Sequence, residues 1–148
     1  MFYTSTIQQV KQQWEQQGIS FGNNITSNDI KRFEFENSVI LPLDFCEYLT
    51  TLNGMADNGR DSDFMGFWPI EKIKPCIRGT EPDYQVITEN FYIFADYSIG
   101  VFYYAIEFLP FFSPSNRICA IGGAAPIFIA QSFTEFLNIY LAGEALSF

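Results

Sequence analysis

Leu41-Pro42-Leu43-Asp44-Phe45-Cys46-Glu47-Tyr48-Leu49-Thr50-Thr51-Leu52-Asn53-Gly54 holds a helix start, a helix face and a helix stop in one run. Proline fixes φ and needs no N–H partner, so Pro42 suits a first helical position. Leu41, before proline, is pushed to an extended conformation and marks the boundary. Asp44 then falls in the first turn, where a carboxylate meets unpaired N–H groups and the positive helix end. Phe45, Tyr48, Leu49 and Leu52 recur at i, i+3, i+4 and i+7 and form one apolar stripe. Gly54, with Asn53 before it, supplies the left-handed residue that closes a helix. Burying each stripe residue is worth about 1.5–3 kcal/mol, against about 0.3–1 kcal/mol for an acid at the helix start. Packing therefore positions this helix, and its ends tune it.

Working outward, the apolar residues set a helix over 4–17 with Ile7, Val10 and Trp14 on one face and Gly18 as its stop. Ser27 or Asn28 caps a second helix carrying Ile30 and Phe33. Downstream the period changes to that of strands. Strands are predicted at 64–68, 91–95, 101–107, 117–121 and 126–130, with 96–100 as a hairpin connection. Residues 75–83 and the proline-bearing 108–116 read as loops. Ser132 lies three residues before Glu135, a capping-box pattern, and opens a last helix whose face is Phe133, Phe136, Leu137, Tyr140 and Leu141. Helices, then strands, then a helix predict an α+β fold: a mainly antiparallel sheet of about five strands backed by N-terminal helices and a C-terminal helix. At 148 residues with no internal repeat or linker, one domain over 1–148 is expected.

Apolar residues make up 48% of the chain and charged ones 17%, which suffices for a real core. Seventeen Phe and eight Tyr exceed what a small core needs, so some rings are expected at the surface, where they can anchor a partner. The net charge is −9, and from Gly79 onward seven acids stand against Arg117 alone. Such a field repels nucleic acid and anionic membrane and attracts basic proteins. Cys46, Cys76 and Cys119 are odd in number and far apart, with no CxxC, which suits a reducing compartment. No signal-peptide layout opens the chain, and Gly122-Gly123 and Pro126 break the uncharged run 118–134 before it could span a membrane. A cytosolic location is expected.

The chain contains no histidine. That removes the usual Ser-His-Asp and Cys-His nucleophiles and the commonest metal ligand. Gly122-Gly123-Ala124-Ala125-Pro126 lacks phosphate-loop spacing. Asp57, Asp61 and Asp63 imitate a calcium loop, but Met65 stands where an oxygen ligand is required. No catalytic residue, metal or cofactor is assigned. A binding surface remains. Its candidate contacts are Asp57, Asp61 and Asp63 in one loop and Glu81 and Asp83 in another, with Tyr97 or Phe111 as aromatic anchors.

Ile30, Phe33 and Glu34, then Leu41-Pro42, Asp44-Phe45, Leu49 and Asn53-Gly54, occur in an order that resembles the SUKH superfamily. Phe94-Ala95-Asp96 and Tyr103 resemble that family's central strands. Pro126-Ile127 and Ser132-Phe133-Thr134-Glu135-Phe136-Leu137 resemble its last strand and closing helix. Its eukaryotic representative is a yeast cell-wall synthesis regulator, and many bacterial members are toxin-immunity proteins. The resemblance implies an α+β fold and a non-enzymatic protein that binds and neutralises a cognate toxin, often a nuclease, by occluding it. The alternative is a regulatory or scaffold protein of the cell-wall-regulator kind. The resemblance supplies no universal catalytic residues. Nuclease toxins tend to be basic, so the acidic charge of this chain favours their capture.

Overall fold

The computed structural model describes residues 2–76, 89–123 and 125–147. Three helices come first: α1 (Phe2–Gln16), α2 (Ser27–Asn37) and α3 (Leu43–Thr51). Six strands follow, β1 (Met65–Phe67), β2 (Lys74–Pro75), β3 (Phe91–Tyr97), β4 (Phe102–Glu107), β5 (Ile118–Ile121) and β6 (Ile127–Ala130), and then α4 (Phe133–Leu141). The sheet is antiparallel throughout, in the order β1-β3-β4-β5-β6, with β2 also paired to β3. The fold is α+β. The sixth strand, beyond the five predicted, arises because Lys74 and Pro75, the latter read from sequence as the first residue of a loop, pair with Ile93 and Tyr92.

One sheet face packs against the helices through interlocking rings. Phe45 of α3 meets Phe133 at 4.8 Å, Phe108 at 5.3 Å and Phe94 at 6.1 Å. Phe136 of α4 stands edge-on to Phe94, and Trp14 of α1 lies against Phe67. The opposite face carries Phe91, which touches Phe128 and lies beneath the guanidinium of Arg117. Arg117 forms a two-pronged ion pair with Glu107 there.

The decisive helix is shifted by one residue from its predicted start. Pro42 has ψ 151° and lies before the first turn as the cap, with its carbonyl accepting the Cys46 N–H. The Leu41 N–H ahead of it donates to Glu34 Oε2 at 2.7 Å, which joins α2 to α3. Asp44 serves two helices at once. Its carboxylate accepts from the Phe45 N–H at the start of α3 and from the N–H and hydroxyl of Thr134 at the start of α4. Two positive helix ends converge on one negative charge. The cap of α2 is Thr26, not Ser27 or Asn28, because its extended backbone lets its N–H donate to Asp29. Ser132 caps α4 as predicted, accepting the Glu135 N–H.

The exit from α3 takes two left-handed residues, Asn53 at φ 52° and Gly54 at φ 67°. Asn53 is fully enclosed. Its amide donates to the Asn23 carbonyl and accepts the Ile70 N–H, so it ties together three stretches of irregular backbone.

Enclosure also fixes the ionisation of neutral acids. Burial pushes the Cys119 thiol up to about 12, and burial, then the charges of Glu34 and Asp44, push Cys46 up to about 11. Burial likewise raises the phenols of Tyr48, Tyr104 and Tyr140. These groups are neutral in both folded and unfolded chains below about pH 7.5, where their contribution to stability is complete. Above that pH the unfolded chain releases protons that the folded chain retains. Stability is therefore expected to fall steadily as pH rises beyond about 9. Denaturant midpoints that stay level from pH 8 to 11 would contradict this.

Candidate functional site

The β3–β4 hairpin and the loop between α3 and β1 meet at one end of the sheet, and a single carboxylate organises both. Asp96 on β3 is only 4% exposed. Its Oδ2 accepts from Arg60 Nη2 and from the Gly100 N–H, each at 2.8 Å, and its Oδ1 accepts from Trp68 Nε1 at 3.0 Å. Arg60 extends the network by donating through Nη1 to the Phe64 carbonyl, which also accepts the Ser98 N–H. Loop, strand end and hairpin turn are thus held by one side chain. A buried, paired and fully hydrogen-bonded charge of this kind specifies a geometry more than it adds stability.

The geometry it holds is a strained one. Ser98, Ile99 and Gly100 have φ of 50°, 57° and 86°, and Phe64 has φ 66°. Left-handed backbone is costly for any residue with a Cβ and most unusual for a β-branched one. Yet Ile99 is 83% exposed and Phe64 62% exposed, with Val101 also open to solvent. The strain therefore presents apolar side chains to water instead of packing them. Tyr97, one predicted anchor, is half-buried at the base of the hairpin and stacked on Phe102 at 5.6 Å. Asp63, a predicted contact, is exposed immediately before Phe64. The fold thus unites Asp63 and Tyr97 through the Phe64–Ser98 hydrogen bond and the Met65–Tyr97 pairing. Asp57 is exposed farther along the same loop, on a 3-10 turn with left-handed backbone.

Asp61 points the other way. It is 7% exposed, and its carboxylate accepts from the Tyr140 hydroxyl at 2.6 Å and from the backbone N–H groups of Asp63 and Met65. Tyr140 in turn accepts from Trp14 Nε1 at 2.9 Å. A side chain expected to face a partner is instead the inner peg of its loop, because α4 brings it the Tyr140 phenol, which Trp14 of α1 holds in place. Phe111 is exposed beside Phe112 but follows the far end of β4, about 20 Å along the strand from the hairpin tip. It belongs to a second patch, around a groove of about 160 Å³ lined by Pro42, Leu43 and Phe112. Glu81 and Asp83 lie outside the described residues.

Phe64, Ile99 and Asp96 were missed at the level of sequence. An acid at the end of an aromatic strand, just before a glycine-bearing turn, was the available signal for Asp96. The cleft beside Asp96 and Arg60 measures about 10 Å³, no more than the space of one water. Among the described residues, no three Cys, Asp or Glu side chains gather as a metal site, and no helix is long and apolar enough to cross a membrane. The arrangement offers a protruding apolar rim bordered by carboxylates.

Residues 24–139 match the family model described as SMI1 / KNR4 family (SUKH-1), which spans well over half of the chain. No curated protein and no solved structure matches it.

Proposed function

The chain belongs to the SMI1 / KNR4 family (SUKH-1), and from that premise we propose that it is a cytosolic immunity protein that neutralises a basic toxin by covering it, without chemistry of its own. The observation that carries this reading is the hairpin tip. Phe64 and Ile99 are large apolar side chains held in water on strained backbone, and strain of this kind collects at binding sites. Rigid apolar anchors ringed by polar groups are what binding hot spots are made of. Asp57 and Asp63 lie in the same loop, on a chain of net charge −9. Such a field steers a cationic partner toward the rim and sets its orientation before the anchors dock.

The test is binding to a candidate toxin, together with protection of cells that express it. Phe64→Ala is expected to weaken affinity by about 30-fold, the equivalent of about 2 kcal/mol, with little change in melting temperature. Asp63→Lys is expected to slow association and leave dissociation nearly unchanged, and the wild-type association rate should fall steeply with added salt. An association rate indifferent to salt removes the electrostatic half of the proposal. Full affinity in Phe64→Ala removes the hairpin tip from it.

A second reading, a regulatory or scaffold protein with an endogenous partner, draws on the other patch. Leu43 and Phe112 are exposed beside a groove that Asp44, Asn116 and Ser132 also line at the far end of the sheet, and Phe111 is exposed next to Phe112. Co-purification of a partner that Phe112→Ser abolishes, without any rescue of poisoned cells, would favour that role.

A further inference from the structure

Every backbone N–H from Asp61 to Met65 has a partner inside the chain. The Asp61 N–H donates to the Met65 carbonyl at 2.9 Å, and the Phe64 N–H to the Asp61 carbonyl at 3.0 Å. Ser62 donates to Gln17 Oε1, just past α1, at 2.7 Å. Asp63 and Met65, the residues on either side of Phe64, both donate to Asp61 Oδ1, at 2.8 and 2.9 Å. The Phe64 carbonyl accepts from Arg60 Nη1 and from the Ser98 N–H. The backbone is thus fixed before, through and after Phe64, at φ 66°. The direction of the Cβ follows from that backbone, and it points the exposed ring outward. The protrusion of Phe64 is therefore the work of the Asp61 carboxylate and not of the ring itself.

The last torsion of an aspartate is broad, so the aim of Oδ1 depends on what Oδ2 holds. Oδ2 accepts from the Tyr140 hydroxyl at 2.6 Å, the short distance of a charge-assisted bond. Tyr140 accepts in turn from Trp14 Nε1. Both rings are buried, and both pack on Phe67, at 4.9 and 5.2 Å. We infer that Tyr140, itself enclosed and out of a partner's reach, is a positioning residue for the docking face: it orients the Asp61 carboxylate, and that carboxylate sets the turn that presents Phe64. The inference rests on the hairpin tip being the surface that meets the toxin. It goes beyond that reading by assigning part of the affinity to a hydroxyl on the closing helix, 76 residues farther along the chain than the ring it presents.

Tyr140→Phe keeps the ring and its packing and removes only the hydroxyl. Hydrogen exchange of the free chain is the first readout. The amides of Asp63 and Met65 are expected to exchange about ten-fold faster in this variant, while those of Ala105 and Cys119 in the sheet hold. Affinity for the toxin domain used to test the proposed function is the second. A loss of about ten-fold is expected, within the range for residues of one hydrogen-bonded network. Added to Phe64→Ala, Tyr140→Phe should cost no further affinity, because the anchor it places is already gone. Asp61→Asn, which keeps the shape and removes the charge, should move both readouts the same way. Tyr104→Phe is the control: its hydroxyl donates to the Ala145 carbonyl, a buried bond to the C-terminal segment, and neither readout should change. Unchanged protection at Asp63 and Met65 in both Tyr140→Phe and Asp61→Asn overturns the inference. So does an affinity loss from Tyr140→Phe that is the same with and without Phe64, the mark of a merely structural role. A wild-type chain that does not bind the toxin sinks the immunity reading instead, and the exchange rates alone then decide whether Tyr140 sets the turn.

Discussion

Asp96→Ala is expected to cost about 3–5 kcal/mol of folding free energy, the range for removing one member of a buried ion pair. Three donors converge on that carboxylate: the Arg60 guanidinium, the Trp68 indole N–H and the Gly100 backbone N–H. Alanine leaves all three without their charged acceptor, in a cleft with room for only a water or two in its place. Arg60 can swing partly outward, because about a quarter of its side chain is exposed. Trp68 and Gly100 cannot, since both are set by backbone already committed to the sheet and the turn. Asp96→Asn keeps one carbonyl acceptor but turns an NH₂ group toward the remaining donors, so an intermediate loss is expected. Denaturant midpoints measure the energy. A shift in Trp68 fluorescence reports the freed indole. Partner affinity should fall in both variants even where they remain folded, since the hairpin loses the residue that sets its turn. An Asp96→Ala chain as stable as the parent would mean that the turn holds itself.

Gly54→Ala is the second large effect expected. At φ 67° any residue with a Cβ costs about 1–2 kcal/mol. A Cβ there would also lie 2.6 Å from the carbonyl carbon and oxygen of Trp68 and 2.7 Å from the nitrogen of Pro69. Those atoms are backbone and have no rotamer to escape into. Overpacking of this sort adds about 1–3 kcal/mol. A loss of about 3 kcal/mol follows, or about 10 °C in melting temperature for a chain of this size. Gly18 provides the internal control. It too is left-handed, at φ 72°, but a Cβ there meets nothing within 4 Å. Gly18→Ala should therefore show the backbone cost alone, about 1–2 kcal/mol, and the difference between the two variants isolates the clash. Equal losses at both sites would mean that the Trp68–Pro69 backbone yields freely.

The scaffold could be read from sequence wherever the information was local. The stripe Phe45, Tyr48, Leu49 and Leu52, the Ser132 cap and the hairpin after Ala95 are each written within a few neighbouring residues; the stripe and the cap formed where those residues placed them, while β3 runs on through Asp96 and Tyr97 of the predicted 96–100 turn because they pair with Tyr103 and Phe102. Pro42 slipped by one because the same φ serves a cap as well as a first turn, and only ψ separates them. The site was less legible because its chemistry is assembled from distant segments. Asp61 sits in a run, Asp57-Asn58-Gly59-Arg60-Asp61-Ser62-Asp63, that reads as uniformly solvated, and its phenol partner comes from 79 residues farther on. Asp96 draws its partners from two loops and a strand end. Phe64 and Ile99 looked like ordinary strand and turn residues, since positive φ in non-glycine residues leaves no mark on the sequence.

The hydrogen-bonded path from Trp14 through Tyr140 to Asp61 joins the two ends of the polypeptide to the loop that fronts the proposed interface. Trp14 and Tyr140 both fall outside the matched span, ten residues before its start at 24 and one after its stop at 139. A segment excised at 24–139 would therefore keep the family signature and forfeit the brace beneath the loop that fronts the proposed interface.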